Sequence, residues 1–333
     1  MRAVVIILML LIAILESDIR TTVTLALTVL WLIYTIYVCI KLLKAKDKKI
    51  ESNEVLIDIP NDTNVSHIRF FYKRRLDNKV FISIIFDLLR KKSISLIRQN
   101  GEYYFIDQKL PDEVLSKSEE SVKKLIFTEM GNKENVSLTN IINALKKNSG
   151  YIYNEYKSFK TTFEYECAGE KYFKSTRSIM DSSMFFFVLS MILAIYNLIF
   201  AKKVIFFILI FGITSFLVRV VNNFKNIEED KIAEYKSWLE FKNYINSNND
   251  LDKLDINTLE MYSLYAYVLD SYDSFKIALK KKYQEDNNSL NDSVLLSIMN
   301  VSLFDYIESE INKSLNVCKF KSVVLFARNK GRR

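Results

Sequence analysis

Apolar positions concentrate in four runs, at residues 3–15, 23–43, 184–200 and 204–221. At ~1.5 Å per helical residue against a ~30 Å hydrocarbon core, the last three are long enough to span and the first is borderline. Only Ala201, Lys202 and Lys203 separate the third run from the fourth. That spacing predicts a tight helical hairpin dividing the polar sequence into a middle block and a C-terminal block. The first run follows Arg2 like a signal-peptide core, but Glu16-Ser17-Asp18 lacks the small residues of a cleavage site, so a retained helix is expected.

Within the middle block, residues 50–180, the periods change several times. Residues 55–59 form a short β-prone run ended by Pro60, and 79–90 carry apolar residues at helical spacing. Two β-prone runs, 93–97 and 103–106, flank Asn100-Gly101, the strongest short-range signal for a β-hairpin. Helices are predicted over 118–127, with Ser118 and Ser121 as candidate caps, over 137–146 and over 151–173. A helix followed by a two-stranded ribbon is the outline of a winged-helix module, an outline shared with many small α+β domains.

The C-terminal block, 225–333, reads as helices over 228–245, 256–282 and 293–314, a polar loop at 246–250, and a short β-prone end at 319–326. The expected architecture is thus a multi-pass α-helical membrane protein. It has four transmembrane helices (3–15, 23–43 and the 184–221 hairpin), an α+β, winged-helix-like block and an all-α block.

Charge sets the orientation of that arrangement. The chain of 333 residues carries a net +8 with a pI near 9.0. Lys41, Lys44, Lys46, Lys48, Lys49, Lys171, Lys174, Arg177, Arg219 and Lys225 flank one side of the expected spans, and Arg20, Lys202 and Lys203 the other. Ten cations against three place both polar blocks in the cytoplasm, at a cell membrane. Three scattered cysteines form no disulfide framework. Six glycines and two prolines favour long helices.

Candidate chemistry is sparse. His67 has no cysteine or second histidine beside it and reads as a surface residue; no metal or cofactor is expected. Gly101, Gly131, Gly150 and Gly169 are isolated, which argues against a phosphate-cradling loop. Asn197, Thr214 and Ser215 are polar groups suited to tying apolar helices together. Arg90, Lys91, Lys92 and Arg98 surround the ribbon and are candidate contacts for an anionic surface, lipid before nucleic acid. Trp238, Phe241, Tyr244, Tyr262, Tyr265 and Tyr267 form a dense aromatic set. Their spacing fits a core between packed helices, with Trp238, Phe241, Tyr262 and Tyr265 as the candidate partner groove.

Three segments taken in order carry a family pattern: 86–94 with the Asn100-Gly101 ribbon, 238–245, and 262–269. Together they resemble the C-terminal part of the YciQ-like predicted membrane proteins, a bacterial family of unknown function, over roughly residues 50–285. The resemblance implies no catalytic residues. Here only residues 16–22 stand where that family carries a large extracytoplasmic domain, and its glycine near Ser93 is absent. The function expected is a non-enzymatic membrane protein whose polar blocks bind the bilayer surface or a protein partner. The alternatives are a membrane-tethered nucleic-acid-binding regulator and an enzyme of unrecognised type. Nothing in the sequence reads out the oligomeric state.

Overall fold

The computed structural model describes residues 17–45, 50–108, 115–147, 149–174, 177–199, 204–222, 225–247, 250–285, 293–300 and 303–330. Its chain forms two units, each assembled from two separated stretches: 1–50 with 173–228, and 51–172 with 229–333. The two polar blocks therefore belong to one folded body.

The smaller unit contains α1 (Ser17–Ala45), α7 (Arg177–Ile199) and α8 (Val204–Asn222). Trp31, Leu193, Ala194, Ile210 and Leu217 meet at its centre. Polar groups also sit inside: Trp31 Nε1 donates to Ser190 Oγ at 2.7 Å, and Asn197 Nδ2 donates to Thr28 Oγ1 at 2.9 Å. Much of the outer face is apolar, with Ile33, Ile36, Ile205 and Phe216 each more than half exposed.

Four transmembrane helices are not supported. Among the described residues no helix is long and apolar enough to cross a membrane. The runs counted in the sequence are punctuated by Thr24, Thr28 and Thr35 in α1, Ser190 and Asn197 in α7, and Thr214 in α8, all buried polar residues. The first run, 3–15, lies outside the described residues.

The larger unit contains α2 (Val65–Lys73), α3 (Asn78–Arg90), β1 (Ile94–Gln99), β2 (Glu102–Asp107), α4 (Lys117–Lys123), β3 (Asn135–Ser137), α5 (Leu138–Lys147) and α6 (Ser149–Gly169). It is completed by α9 (Ile232–Ser247), α10 (Ile256–Val268), α11 (Tyr272–Glu285), α12 (Val294–Asn300) and α13 (Leu303–Lys330). Helix α3 is its axis. The stretch Val80–Leu89 is apolar apart from Ser83 and Asp87, which lie one turn apart on one face and are themselves buried, so the helix is covered on nearly every side. Accordingly Val80, Phe81, Ile82, Ile84, Ile85, Phe86 and Leu88 are almost wholly buried. Asp77 caps the helix start through the Lys79 amide. Phe81 meets Tyr156 and Phe159 of α6, while Phe86 stacks on Phe304 of α13 at 4.3 Å.

The ribbon forms where Asn-Gly indicated. Gln99 pairs with Glu102 across the turn, with Asn100 at φ 52° and Gly101 at φ 82°. Two consecutive positive φ angles are what a type I′ hairpin requires. The sheet has a third strand, β3, in the order β1-β2-β3. Gly131 permits its return: a Cβ there would lie 2.7 Å from Asn135 O and 2.9 Å from Val136 Cβ.

Several elements differ from expectation. Ser116, rather than Ser118 or Ser121, caps α4 in a reciprocal box with Glu119, and the chain continues through a π-helical turn over Lys124–Glu129. The helix expected over 256–282 breaks at Asp270, which takes φ 58°. Residues 319–326 belong to α13, because burial of Ile307, Ile311, Leu315 and Cys318 at helical spacing carries one helix through their β-branched residues. Residues 55–59 join no described strand and bend at Asp58.

The winged-helix outline is also unsupported. Helix α3, which precedes the ribbon where a groove-reading helix would stand, has eleven buried residues among its thirteen. A helix enclosed in that way has no face to offer a nucleic-acid groove.

Candidate functional site

The basic residues around the ribbon are drawn inward by acids. Asp87, a buried carboxylate on the last turns of α3, accepts from Arg90 Nε at 2.8 Å and lies 3.1 Å from Lys91 Nζ. Lys91 also reaches Glu119, 1% exposed, at 2.5 Å. Burial lowers the affinity of the Lys91 ammonium for its proton, but the two carboxylates more than reverse this and raise it. Each of these cations therefore offsets a buried anion. Lys92 is exposed, in a left-handed turn at φ 60°. Arg98 lies over the Tyr103 ring at 5.6 Å. The four candidate contacts thus divide into two engaged in the fold and two at the surface.

The aromatic set comes together more completely. Trp238 and Phe241 of α9 meet Tyr262 and Tyr265 of α10, with ring centroids 5.0 Å apart for Trp238–Tyr265 and 4.9 Å for Phe241–Tyr262. All four are at least 96% buried. Burial pushes the Tyr262 phenol up to about 12, and drives Tyr265 higher still. Both hydroxyls stay protonated and donate.

Their acceptors are main-chain carbonyls of the segment that leads into α2. Tyr262 Oη donates to Ile57 O at 2.7 Å and Tyr265 Oη to Thr63 O at 3.0 Å. Asn243 Nδ2 donates to Ser52 O at 2.7 Å and to Glu54 O at 3.1 Å. Ser52 Oγ donates to Glu240 Oε1, and the Leu56 amide to Glu240 O. The groove between α9 and α10 is occupied by this chain's own irregular strap, residues 52–63. The strap is held by its backbone, with Val55 and Ile57 pointing outward, more than half exposed.

Two further constellations escaped the sequence reading. His67 is not a surface residue: its side chain is 13% exposed, 3.9 Å from Glu166 Oε2 and edge-on to Phe163. His67 Nε2 and Glu166 Oε2 are both buried without a hydrogen-bond partner. Glu166 is engaged through its other oxygen, which accepts from the Ser118 amide at 2.9 Å. Burial pulls the His67 imidazole below its ordinary value, with Glu166, Glu170 and Glu119 pulling the other way. Arg69, 4% exposed, forks onto Asp77 and also donates to Asp270 Oδ1 and Val268 O. Acid pairs for Arg69 at positions 77 and 270 have no local signature, since they are joined only by folding. Among the described residues no group of three or more His, Cys, Asp or Glu side chains is placed to hold a metal ion.

Neither the curated proteins nor the solved structures give a match to the chain. The family model described as "Predicted membrane protein (DUF2207) C-terminal domain" matches residues 53–279, from the strap through most of α11. With well over half its length inside that match, the chain belongs to the DUF2207 family of predicted membrane proteins.

Proposed function

We propose that the chain is a membrane-associated binding protein rather than an enzyme. The three-helix unit lies with its apolar outer face against lipid, and the larger unit faces the cytoplasm as a body that engages a protein partner or the anionic membrane surface. The observation that carries this reading is the polarity of the smaller unit. Its polar side chains, Thr28, Ser190 and Asn197, are directed inward, while Ile33, Ile36, Ile205 and Phe216 are directed outward. Water-facing surfaces seldom expose so much contiguous apolar area. The excess of lysine next to α1 and α7 supports the cytoplasmic placement. Binding is favoured over catalysis because the aromatic and charged residues that stand out are committed to packing, to the strap and to ion pairs.

The test is flotation of the full-length chain with phosphatidylcholine vesicles, followed by an alkaline carbonate wash. The wild-type chain is expected to float and to resist the wash, and Ile33→Lys combined with Ile205→Lys to release it. A chain that stays dispersed without lipid or detergent and does not float would overturn the reading. Labelling of Glu134→Cys, on an exposed turn, should require permeabilised cells.

A further inference from the structure

A second polar feature lies in the larger unit, where the turn between α2 and α3 faces α13. It is a cavity of about 380 Å³, within the size range of small-molecule sites. Its lining includes Arg75, Asp77, Asn78, Asn312, Asn316 and Lys319.

Hydrogen bonding fixes the polarity of that lining. Asn78, 7% exposed, donates through Nδ2 to Asn312 Oδ1 at 2.6 Å and to Asn316 Oδ1 at 3.0 Å. Its own Oδ1 accepts from Tyr156 Oη and from Lys319 Nζ. The carbonyl oxygens of Asn312 and Asn316 are thus turned onto Asn78, and each amide keeps its two N–H donors for another partner. Asp77 is the carboxylate of the lining, and its oxygens are taken by the Arg69 fork and the Lys79 amide. Arg75 is exposed and, among the described residues, makes no ion pair. The lining therefore offers donors and positive charge, with its acceptors already used.

We propose that this cavity binds a phosphate-type oxyanion, an acceptor-only group with at least two negative charges. A carboxylate presents its lone pairs in a single plane on two oxygens, whereas a tetrahedral phosphate presents oxygens in several directions, as donors arriving from Asn312, Asn316 and Arg75 require, and the flat Arg75 fork suits two of them. Lys319 Nζ, which donates to Asn78 Oδ1, adds positive charge beside the cavity; burial, and then the nearby Lys160, pull its ammonium down to about 8. The phosphate can come from a lipid headgroup or from a soluble phosphate monoester.

The experiment uses the full-length chain in neutral detergent, titrated with inorganic phosphate at constant ionic strength and followed by thermal unfolding and calorimetry. Saturable stabilisation beyond that given by chloride is expected. Asn316→Asp keeps the oxygen that accepts from Asn78 and replaces the donors with an acceptor; Arg75→Gln alters an exposed side chain that the fold does not use. Each is expected to weaken phosphate binding roughly tenfold or more, and the pair to abolish it. Two arms separate the sources. Glycerol phosphate competing fully with inorganic phosphate, with no extra flotation on vesicles containing phosphatidic acid, assigns a soluble ligand. Enhanced flotation on those vesicles that Arg75→Gln removes assigns a headgroup. Stabilisation that does not saturate, or that is the same in wild type, Asn316→Asp and Arg75→Gln, overturns the proposal.

Discussion

Trp238 offers a sharp test of how the aromatic groove is held together. It is 1% exposed, its ring centroid is 5.0 Å from Tyr265 and 5.9 Å from Phe241, and its indole N–H is buried without a hydrogen-bond partner. Two effects of opposite sign therefore act at one side chain. Trp238→Ala deletes the whole ring from a filled site, and truncations of that kind cost ~3–5 kcal/mol. Trp238→Phe keeps the six-membered ring and loses the pyrrole part, a loss of a methylene or two at about 0.8 kcal/mol each. It also removes a buried, unpaired donor whose desolvation costs ~1–3 kcal/mol. The phenylalanine variant is thus expected within about 1 kcal/mol of wild type, and the alanine variant several kcal/mol below it. Urea unfolding in a fixed detergent, followed by far-ultraviolet circular dichroism, separates the two; a shifted midpoint with unchanged slope reports stability. If Trp238→Phe costs as much as Trp238→Ala, the N–H is not a liability and the reasoning fails. If Trp238→Ala costs under ~1 kcal/mol, the site is not the filled core described above.

Four further outcomes follow from the charged, histidine and strap contacts. Arg69→Met strands Asp77, while Asp270 keeps Lys73 and Lys79, and should lower stability by about 3–5 kcal/mol, as loss of one partner of a buried ion pair does; denaturant titration measures it. Against the upward pull of burial, Lys73, Lys79 and Arg69 hold the Asp270 carboxyl well below its ordinary 3.8. Its contribution is therefore complete above that unfolded value and is lost as pH falls below it; Asp270→Asn should flatten this acid limb in a stability–pH profile. For His67 the folded value lies below the unfolded 6.5, so the unfolded chain binds the extra proton. Stability is expected to fall as pH drops from 6.5, and a His67→Asn profile that keeps the same slope there would contradict it. Tyr262→Phe with Tyr265→Phe removes two bonds to the strap, at ~0.5–1.5 kcal/mol each, and should speed limited proteolysis between Ser52 and Thr63 without unfolding the larger unit.

What could be read in advance was local. Asn100-Gly101 declared its turn because few other dipeptides take two positive φ angles, and α3 declared itself by period. The largely apolar surface of α3 indicated burial, but not what would cover it. Phe304, more than two hundred residues away, carries no mark of that role. The break at Asp270 was hidden because Leu269-Asp270-Ser271 contains neither glycine nor proline. Its left-handed backbone is held instead by side-chain contacts to Arg69, Lys73 and Lys79. Residues 319–326 misled because β-branched residues lower helix propensity only slightly, and burial of the preceding turns outweighs that preference. Ser116 and Glu119 stood at capping-box spacing and were legible; the candidate caps chosen lay within the helix. The aromatic set was recognised as a cluster, yet its occupant was not, since a strap held through its main chain needs no distinctive side chains. The three apolar runs that fall in the described residues were legible as helices, while their polar interior contacts depend on which faces meet.

The interleaved order of the two units also sets a timetable for synthesis. Phe86 is covered by Phe304, but ribosomes complete residue 172 long before they reach 304. At ~5–20 residues per second those 132 residues take roughly 7–26 s. During that interval α9 to α12 emerge one after another, and the side of α3 that Phe304 covers stays without α13 to its end. Meanwhile α7 and α8, needed by the other unit, emerge in between. The nascent chain must hold one unfinished body while it builds the other, so a chaperone that shields α3 has a defined window in which to act.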